Sequence, residues 1–236
     1  MLADVEPREP YLVQSRRPLA AAAFVLVAVV VLHTGLWFSD ADRPTTGVLI
    51  VHGAAELAGR LTPGEIAVLL AMAAVLAPLV AHVFAGQRWR LRKRLLPAMA
   101  AESAVLALPL VAMSLVLFPS QNLLSTGTGL GWLVAIEAGI FEELVFRMAG
   151  FALVDVLVGL VLGHDERART ITLGAAVVVT SLAFAGHHYL PLTQEPFEWP
   201  SFIFRALAGV WLGVVFLTRG FGLAVGCHIA YNAAIL

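Results

Sequence analysis

The chain has 236 residues, of which 60% are hydrophobic and only 13% are charged, and its formal net charge is −1. Because ordinary soluble domains carry about 25% charged residues, this composition excludes a typical water-soluble protein and favours an integral membrane protein. The basic residues are confined to short connecting segments, which argues against nucleic-acid binding. A single cysteine, Cys227, excludes an intrachain disulfide, and we interpret it as a small apolar residue in a helix.

The first predicted elements are a polar segment, 1–17, and an apolar run, 18–38, which is long enough to cross a bilayer as a helix. The run is too long for a signal-peptide core and further spans follow it, so we predict an uncleaved first helix. A weaker apolar patch at 47–58 contains His52 and Glu56. That patch predicts an interfacial or re-entrant segment rather than a span.

The next predicted spans are 65–86, which Pro78 is expected to kink, and 97–118. Between them lies RWRLRKR, 88–94, with five basic residues in seven. Basic segments beside a span normally lie in the cytoplasm. We therefore predict a cytoplasmic position for this segment and for the amino terminus. Anchoring to lipid headgroups is the favoured function of the basic segment, with an anionic substrate as the alternative.

The apolar segment 131–163 is longer than a membrane span needs. As one helix it would extend about 50 Å, whereas a bilayer core is about 30 Å thick, so it either projects into the cytoplasm or breaks near Gly150. The charged segment HDERART, 164–170, is predicted to be a loop. A single crossing would place that loop in the cytoplasm, and the charge bias favours this alternative. The last predicted spans are 171–189, 201–218 and 221–236.

The predicted fold is therefore all-α, a polytopic bundle of seven to eight transmembrane helices. Residues 1–17 are interpreted as a cytoplasmic segment and 18–236 as a single transmembrane domain. Ionisable residues inside such a domain are costly and usually mark a functional site. Three late spans contain polar side chains of this kind, namely Glu142, Glu143, Arg147, His187, His188, His228 and Asn232.

The spacing of these residues predicts separate roles. Glu143 and Arg147 are four residues apart, so they can pair on one face of a helix. Glu142 points about 100° away, has no such partner, and suits a general base in a buried pocket. His228 and Asn232 are also four residues apart, and both can donate hydrogen bonds to a developing oxyanion.

The same glutamate, arginine and histidine residues could instead have a purely structural role. A buried Glu–Arg pair often only ties helices together, and a histidine in a membrane helix is often a hydrogen-bonded packing residue. His187 and His188 are adjacent, so only one is expected to face a site. Glu102 and Glu137 receive no role. Arg205 is expected to extend its guanidinium to the membrane surface.

Three short motifs resemble those of one family. EELVFR fits EExxxR, FAGHH fits FxxxH through Phe184 and His188, and HIAYN fits HxxxN. In this order, over about residues 130–236, they are similar to the CPBP intramembrane proteases. That family includes the type II CAAX prenyl endopeptidases, proteins like lysostaphin resistance protein A, and bacteriocin-immunity relatives. The resemblance implies about eight transmembrane helices around a membrane-embedded cavity.

The resemblance also implies a role for each motif residue. Glu142 would activate the attacking water, and Glu143 would support the site by pairing with Arg147. His188 would hold and polarise the water. His187 stands where a smaller residue is commoner in the family, and the spacing of the FxxxH motif favours His188 over it.

His228 and Asn232 would, by the same resemblance, form the oxyanion hole. Metal use is open from the residues alone, because Glu142, His188 and His228 could ligate zinc. The chain has no HExxH motif. The family is interpreted as using a metal-free glutamate mechanism, so we expect neither a metal nor another cofactor.

The predicted function is an intramembrane glutamate-type endopeptidase of the bacterial inner membrane. It would contact membrane lipids and cleave membrane-anchored or lipidated proteins or peptides, such as CAAX-like or sorting-signal substrates at their carboxyl termini. One alternative is a non-catalytic membrane scaffold or bacteriocin-immunity protein that uses the polar cluster to hold helices together. Another is a proton-coupled transporter, but the sequence shows no internal repeat of the kind that many transporters have.

Overall fold

The computed structural model describes residues 9–38, 63–118, 131–163, 165–190 and 196–235, and these ranges contain helices without strands. The predicted patch at 47–58, with His52 and Glu56, lies outside the described residues. The helices are α1 (Tyr11–Ser15), α2 (Pro18–Trp37), α3 (Pro63–Phe84), α4 (Leu95–Leu117), α5 (Gly131–Glu142), α6 (Gly150–Leu162), α7 (Glu166–His187), α8 (Trp199–Arg219) and α9 (Phe221–Ile235), and a π-helical segment, Glu143–Ala149, joins α5 to α6.

Within the described residues, six helical stretches are long and apolar enough to cross a membrane, and α9 is a shorter apolar helix. The stretch Gly131–Leu162 is continuous, so the structure has the single long helix rather than a break near Gly150. Gly150 keeps helical angles, with φ −62° and ψ −44°. A Cβ at this position would lie 2.9 Å from Thr180 Cγ2, so the glycine allows close packing of α6 on α7.

Helix α7 begins earlier than predicted. The segment 164–170 was expected to be a loop, but the helix starts at Glu166. The carboxylate of Asp165 accepts a hydrogen bond of 2.7 Å from the Ala168 backbone N–H, which caps the first turn. Hydrophobicity alone missed this charged turn because its side chains are largely exposed to solvent.

Helix α9 lies at the centre of the bundle. Its residues Leu223, Ala224, Val225 and Cys227 are fully buried, which agrees with the interpretation of the cysteine as a small apolar residue. A Cβ at Gly222 would lie 2.9 Å from the Cα of Ala21, so the absence of a side chain lets α9 approach α2 closely. The helix that contains His228 is therefore held by contacts on several sides.

A polar cluster fixes α1 to the end of the bundle. Arg219 Nε donates to Glu102 Oε1 at 2.6 Å, and Arg219 Nη2 donates to Ser15 Oγ at 2.8 Å. The Tyr11 hydroxyl donates to Glu102 at 2.5 Å, and burial together with this bond raises the pKa of Tyr11 to about 12. Gly220, with φ +88°, makes the turn from α8 into α9. The cluster therefore joins the amino-terminal segment to the α8–α9 turn.

We predict that Gly209→Ala destabilises the protein by about 1–3 kcal/mol, because a new Cβ would overpack the α7–α8 contact. That Cβ would lie 2.9 Å from the Cα of Ser181, which is backbone and cannot rotate away. The free energy of unfolding in detergent, from an SDS titration, measures the effect. Gly174→Ala on α7 is the matched control, since a Cβ there meets no atom within 4 Å. Equal stability of the two variants would contradict the close packing.

Candidate active site

A π-helical segment positions the two glutamates and the arginine. Glu142 ends α5, and Glu143 and Arg147 lie in the π-helical turns that follow. Such turns are rare and frequently occur at functional sites. Glu142 is 3% exposed, and Glu143 and Arg147 are fully buried. Three ionisable side chains are thus enclosed in the interior of the bundle.

Glu143 and Arg147 form a buried ion pair, with Oε1 and Nη1 3.2 Å apart. Arg147 also donates from Nη2 to the Gly209 carbonyl at 3.1 Å. Its Cζ lies 4.6 Å from the centre of the Phe184 ring, a favourable position for a cation over an aromatic face. The arginine therefore ties the π-helical segment to α7 and α8 while it balances the charge of Glu143.

His228 bridges the two glutamates. Its Nδ1 lies 2.8 Å from Glu143 Oε1, and its Nε2 lies 3.5 Å from Glu142 Oε2. An ionised carboxylate can only accept a hydrogen bond, so Nδ1 contains the proton that is donated to Glu143. From the sequence, Arg147 was the one contact predicted for Glu143, and the contact with His228 was not expected. The bridge fixes the orientation of the His228 ring and directs Nε2 at Glu142.

His187 and His188 both face this site, so the expectation that only one of them would do so is wrong. His187 Nε2 lies 3.6 Å from Glu142 Oε1, and the two imidazole centres are 3.9 Å apart. The Nδ1 atoms of His187 and His188 lie 2.5 and 2.9 Å from the Phe184 carbonyl. Adjacent residues of a helix diverge by about 100°, which still allows both to flank a group that lies between them.

One group of possible metal ligands occurs in the part of the chain that the structure describes. It consists of Glu142, His187 and His188, whose ligand atoms lie within 4.8 Å of one another. The zinc set considered from the sequence contained His228 in place of His187. His228 instead approaches the other oxygen of Glu142 and directs its Nδ1 at Glu143.

Asn232 lies one turn beyond His228 on α9 and is partly buried. Among the described residues, none forms a hydrogen bond with its amide. Arg205, which was expected to extend to the membrane surface, has its Cζ 5.4 Å from the Tyr189 ring. Glu102, which received no role, pairs with Arg219 at the end of the bundle.

Comparison with known proteins found a matching family model for the carboxyl-terminal part of the chain. Residues 124–234 match the sequence model of the family described as Type II CAAX prenyl endopeptidase Rce1-like. The match covers 111 of the 236 residues, so this region of the chain is similar to that family. All three motifs of the sequence analysis lie within the match. No curated protein and no solved structure was found to match the chain.

The match to a CAAX-type protease family, together with six described helices long and apolar enough to cross a membrane, supports an integral membrane protein related to CAAX-type proteases. The structure also supplies a reason for the phenylalanine in the FxxxH motif. The ring of Phe184 covers Arg147. The backbone carbonyl at this position, which any residue would supply, orients His187 and His188. Sequence reasoning named both histidines but favoured His188 over His187, because only His188 fits the spacing of the FxxxH motif.

Proposed function

We propose that this protein is a glutamate-type intramembrane endopeptidase in which Glu142 activates the attacking water. The observation that supports this proposal is the separation of roles between the two carboxylates. Glu143 is paired with Arg147 at 3.2 Å, whereas the oxygens of Glu142 are approached by two imidazole nitrogens, His187 Nε2 at 3.6 Å and His228 Nε2 at 3.5 Å. Glu142 therefore remains available to take a proton in a buried pocket.

The proposed reaction is direct attack by water. Glu142 removes a proton from the water as its oxygen bonds to the peptide carbonyl carbon. The tetrahedral intermediate then collapses, the C–N bond breaks, and the proton held by Glu142 passes to the leaving amine. His188 would hold and polarise the water. Glu143 and Arg147 would keep the π-helical segment in place, and no metal or other cofactor takes part.

His228 and Asn232 would stabilise the oxyanion of the intermediate. Because His228 Nδ1 donates to Glu143, its Nε2 can donate to the oxyanion when both ring nitrogens are protonated. With Glu142 and Glu143 ionised and Arg147 positive, a protonated His228 brings the net charge of the cluster to zero. A neutral cluster suits a buried site, where unbalanced charge is costly.

The proposed substrates are membrane-anchored or lipidated proteins or peptides, processed near a carboxyl terminus that is CAAX-like or carries a sorting signal. Several observations support a membrane-embedded reaction. His228 lies seven residues after the start of α9, or about 10 Å along the helix. The outer helix faces expose large apolar side chains, such as Val105 and Leu160, as expected beside lipid. We propose the bacterial inner membrane as the location, with a cytoplasmic amino terminus beside the basic segment 88–94.

The proposed mechanism is tested with purified protein in lipid vesicles and a fluorescence-quenched lipidated peptide. Mass spectrometry of the products would identify the cleaved bond. In ¹⁸O-labelled water, we expect the new carboxylate to contain ¹⁸O, and we expect hydroxylamine to trap no acyl-enzyme. A trapped acyl-enzyme would contradict direct water attack.

Asn232→Ala is expected to lower kcat by about 10²–10³-fold, the typical effect of removing one oxyanion-hole donor. Substrate binding should change little, because the donor acts on charge that develops after binding. Steady-state kinetics with the lipidated peptide separate kcat from KM. Gln87→Ala, which removes an amide outside the site, is the control. A change confined to KM would assign Asn232 to substrate binding instead.

A further inference from the structure

We propose that Glu142, His187 and His188 form a binding site for a divalent transition-metal ion, and that a bound ion inhibits the enzyme. This set differs from the family motifs because His187 lies outside them. The ligand atoms of the three residues are within 4.8 Å of one another. The ion would occupy the space beside Glu142 where the proposed reaction places its water.

The tautomers of the two histidines favour metal binding. A carbonyl oxygen only accepts hydrogen bonds, so His187 and His188 both donate from Nδ1 to the Phe184 carbonyl. In the neutral rings, the lone pair is then on Nε2. Histidines that bind metals are commonly oriented in this way, with the other ring nitrogen donating to a carbonyl or a carboxylate. Phe184 thus prepares two nitrogens as ligands.

The position of the His187 nitrogen is the second observation. His187 Nε2 is buried and, within the described part of the chain, has no hydrogen-bond partner. It lies 3.6 Å from Glu142 Oε1. Bonds of about 2.0–2.1 Å place the ligands of a tetrahedral zinc ion about 3.4 Å apart, so this pair is already at the required separation. All three ligand atoms lie within 4.8 Å of one another, so the longest separation would have to shorten by at most about 1.4 Å, which small side-chain rotations can supply.

The donor set selects the class of metal. Two imidazoles and one carboxylate, with a fourth position open, suit zinc, cobalt or nickel, whereas magnesium and calcium prefer oxygen ligands. Charge also favours a cation. Glu143 is balanced by Arg147 at 3.2 Å, while Glu142 has no arginine or lysine partner among the described residues. When the neighbouring imidazoles are neutral, as metal binding requires, the carboxylate of Glu142 therefore contributes a negative charge that a cation would compensate.

Inhibition, unlike binding, rests on the proposed function. A metal bound to Glu142 would remove the carboxylate that accepts the proton of the attacking water. Transition-metal ions would then inhibit cleavage, and this inhibition would depend on His187, which the FxxxH motif does not include.

The test begins with metal alone. The full-length protein in detergent, stripped with EDTA and dialysed, is titrated with Co²⁺ and followed by the visible absorption of the bound ion. We expect one ion per chain, and His187→Ala should weaken binding at least about 100-fold, since even outer residues of metal sites contribute 10–100-fold. His33→Ala removes an exposed histidine on α2 and serves as the control. His187→Gln, checked by thermal melting, repeats the test if the alanine variant misfolds.

Either of two binding results would contradict the proposed site. The first is that the wild type shows no saturable Co²⁺ binding, and the second is that His187→Ala binds Co²⁺ as tightly as the wild type.

The cleavage rate is then measured in the presence of Zn²⁺, and the rate of each protein is divided by the rate of the same protein in EDTA. We expect inhibition of the wild type and at least tenfold weaker inhibition of the His187 variant. If chelation abolishes cleavage and metal restores it, the inhibitory role and the metal-free mechanism are both overturned. If Co²⁺ binds as expected but no peptide is cleaved under any condition, the site stands and the proposed function fails.

Discussion

Glu142→Gln is expected to lower the cleavage rate by about 10²–10⁴-fold or more, the contribution of a positioned general base. The substitution keeps the size of the side chain and removes its ability to take a proton from water. Glu142 is 3% exposed and has imidazole nitrogens 3.5 and 3.6 Å away, so an amide can occupy the same space. Initial rates on the lipidated peptide in vesicles provide the measurement. His188→Ala should also abolish cleavage.

The melting temperature of Glu142→Gln distinguishes an enzyme from a scaffold. Residues that serve catalysis often lower stability, so we expect melting to be unchanged or raised. A sharp decrease in melting temperature would indicate that the polar cluster is structural, and full activity would remove Glu142 from the mechanism. Asp155→Asn is the matched control, because it changes an exposed carboxylate to an amide on the same long helical stretch. It should alter neither rate nor melting.

Arg147→Met is expected to destabilise the protein by about 3–5 kcal/mol, the effect of removing one partner of a buried ion pair. Arg147 and Glu143 are both fully buried, so the remaining carboxylate would be left without its balancing charge. The hydrogen bond to the Gly209 carbonyl and the contact with the Phe184 ring would also be lost. The free energy of unfolding from an SDS titration measures this loss.

A double-mutant cycle isolates the ion pair from the other contacts. Glu143→Gln combined with Arg147→Met should be less destabilised than the sum of the two single variants, because the second substitution removes the unbalanced charge. Arg90→Met replaces an exposed arginine and should change stability by less than about 0.5 kcal/mol. Additive effects of the two buried substitutions would show that the pair has no mutual stabilisation.

The sequence by itself determined the fold class and most of the spans. Apolar runs long enough to cross a bilayer predicted helices that the structure places within a few residues, such as Pro18–Trp37 and Leu95–Leu117. The i,i+4 spacing predicted the proximity of Glu143 and Arg147, because contacts within a helix follow from its geometry. Before any three-dimensional information, the motifs also indicated a resemblance to the family whose model matches residues 124–234. These properties are local, so a linear pattern contains them.

Only the tertiary structure showed how the carboxyl-terminal helices, from α5 to α9, pack against one another. The bridge from His228 to Glu143 joins residues 85 positions apart. It depends on the rotation of α9, which close contacts such as that of Gly139 with Ile229 help to set. The π-helical turns have no signature in hydrophobic periodicity, and neighbouring helices determine whether His187 faces Glu142. Sequence spacing specifies which side chains share a face of one helix, but packing between helices decides which faces meet.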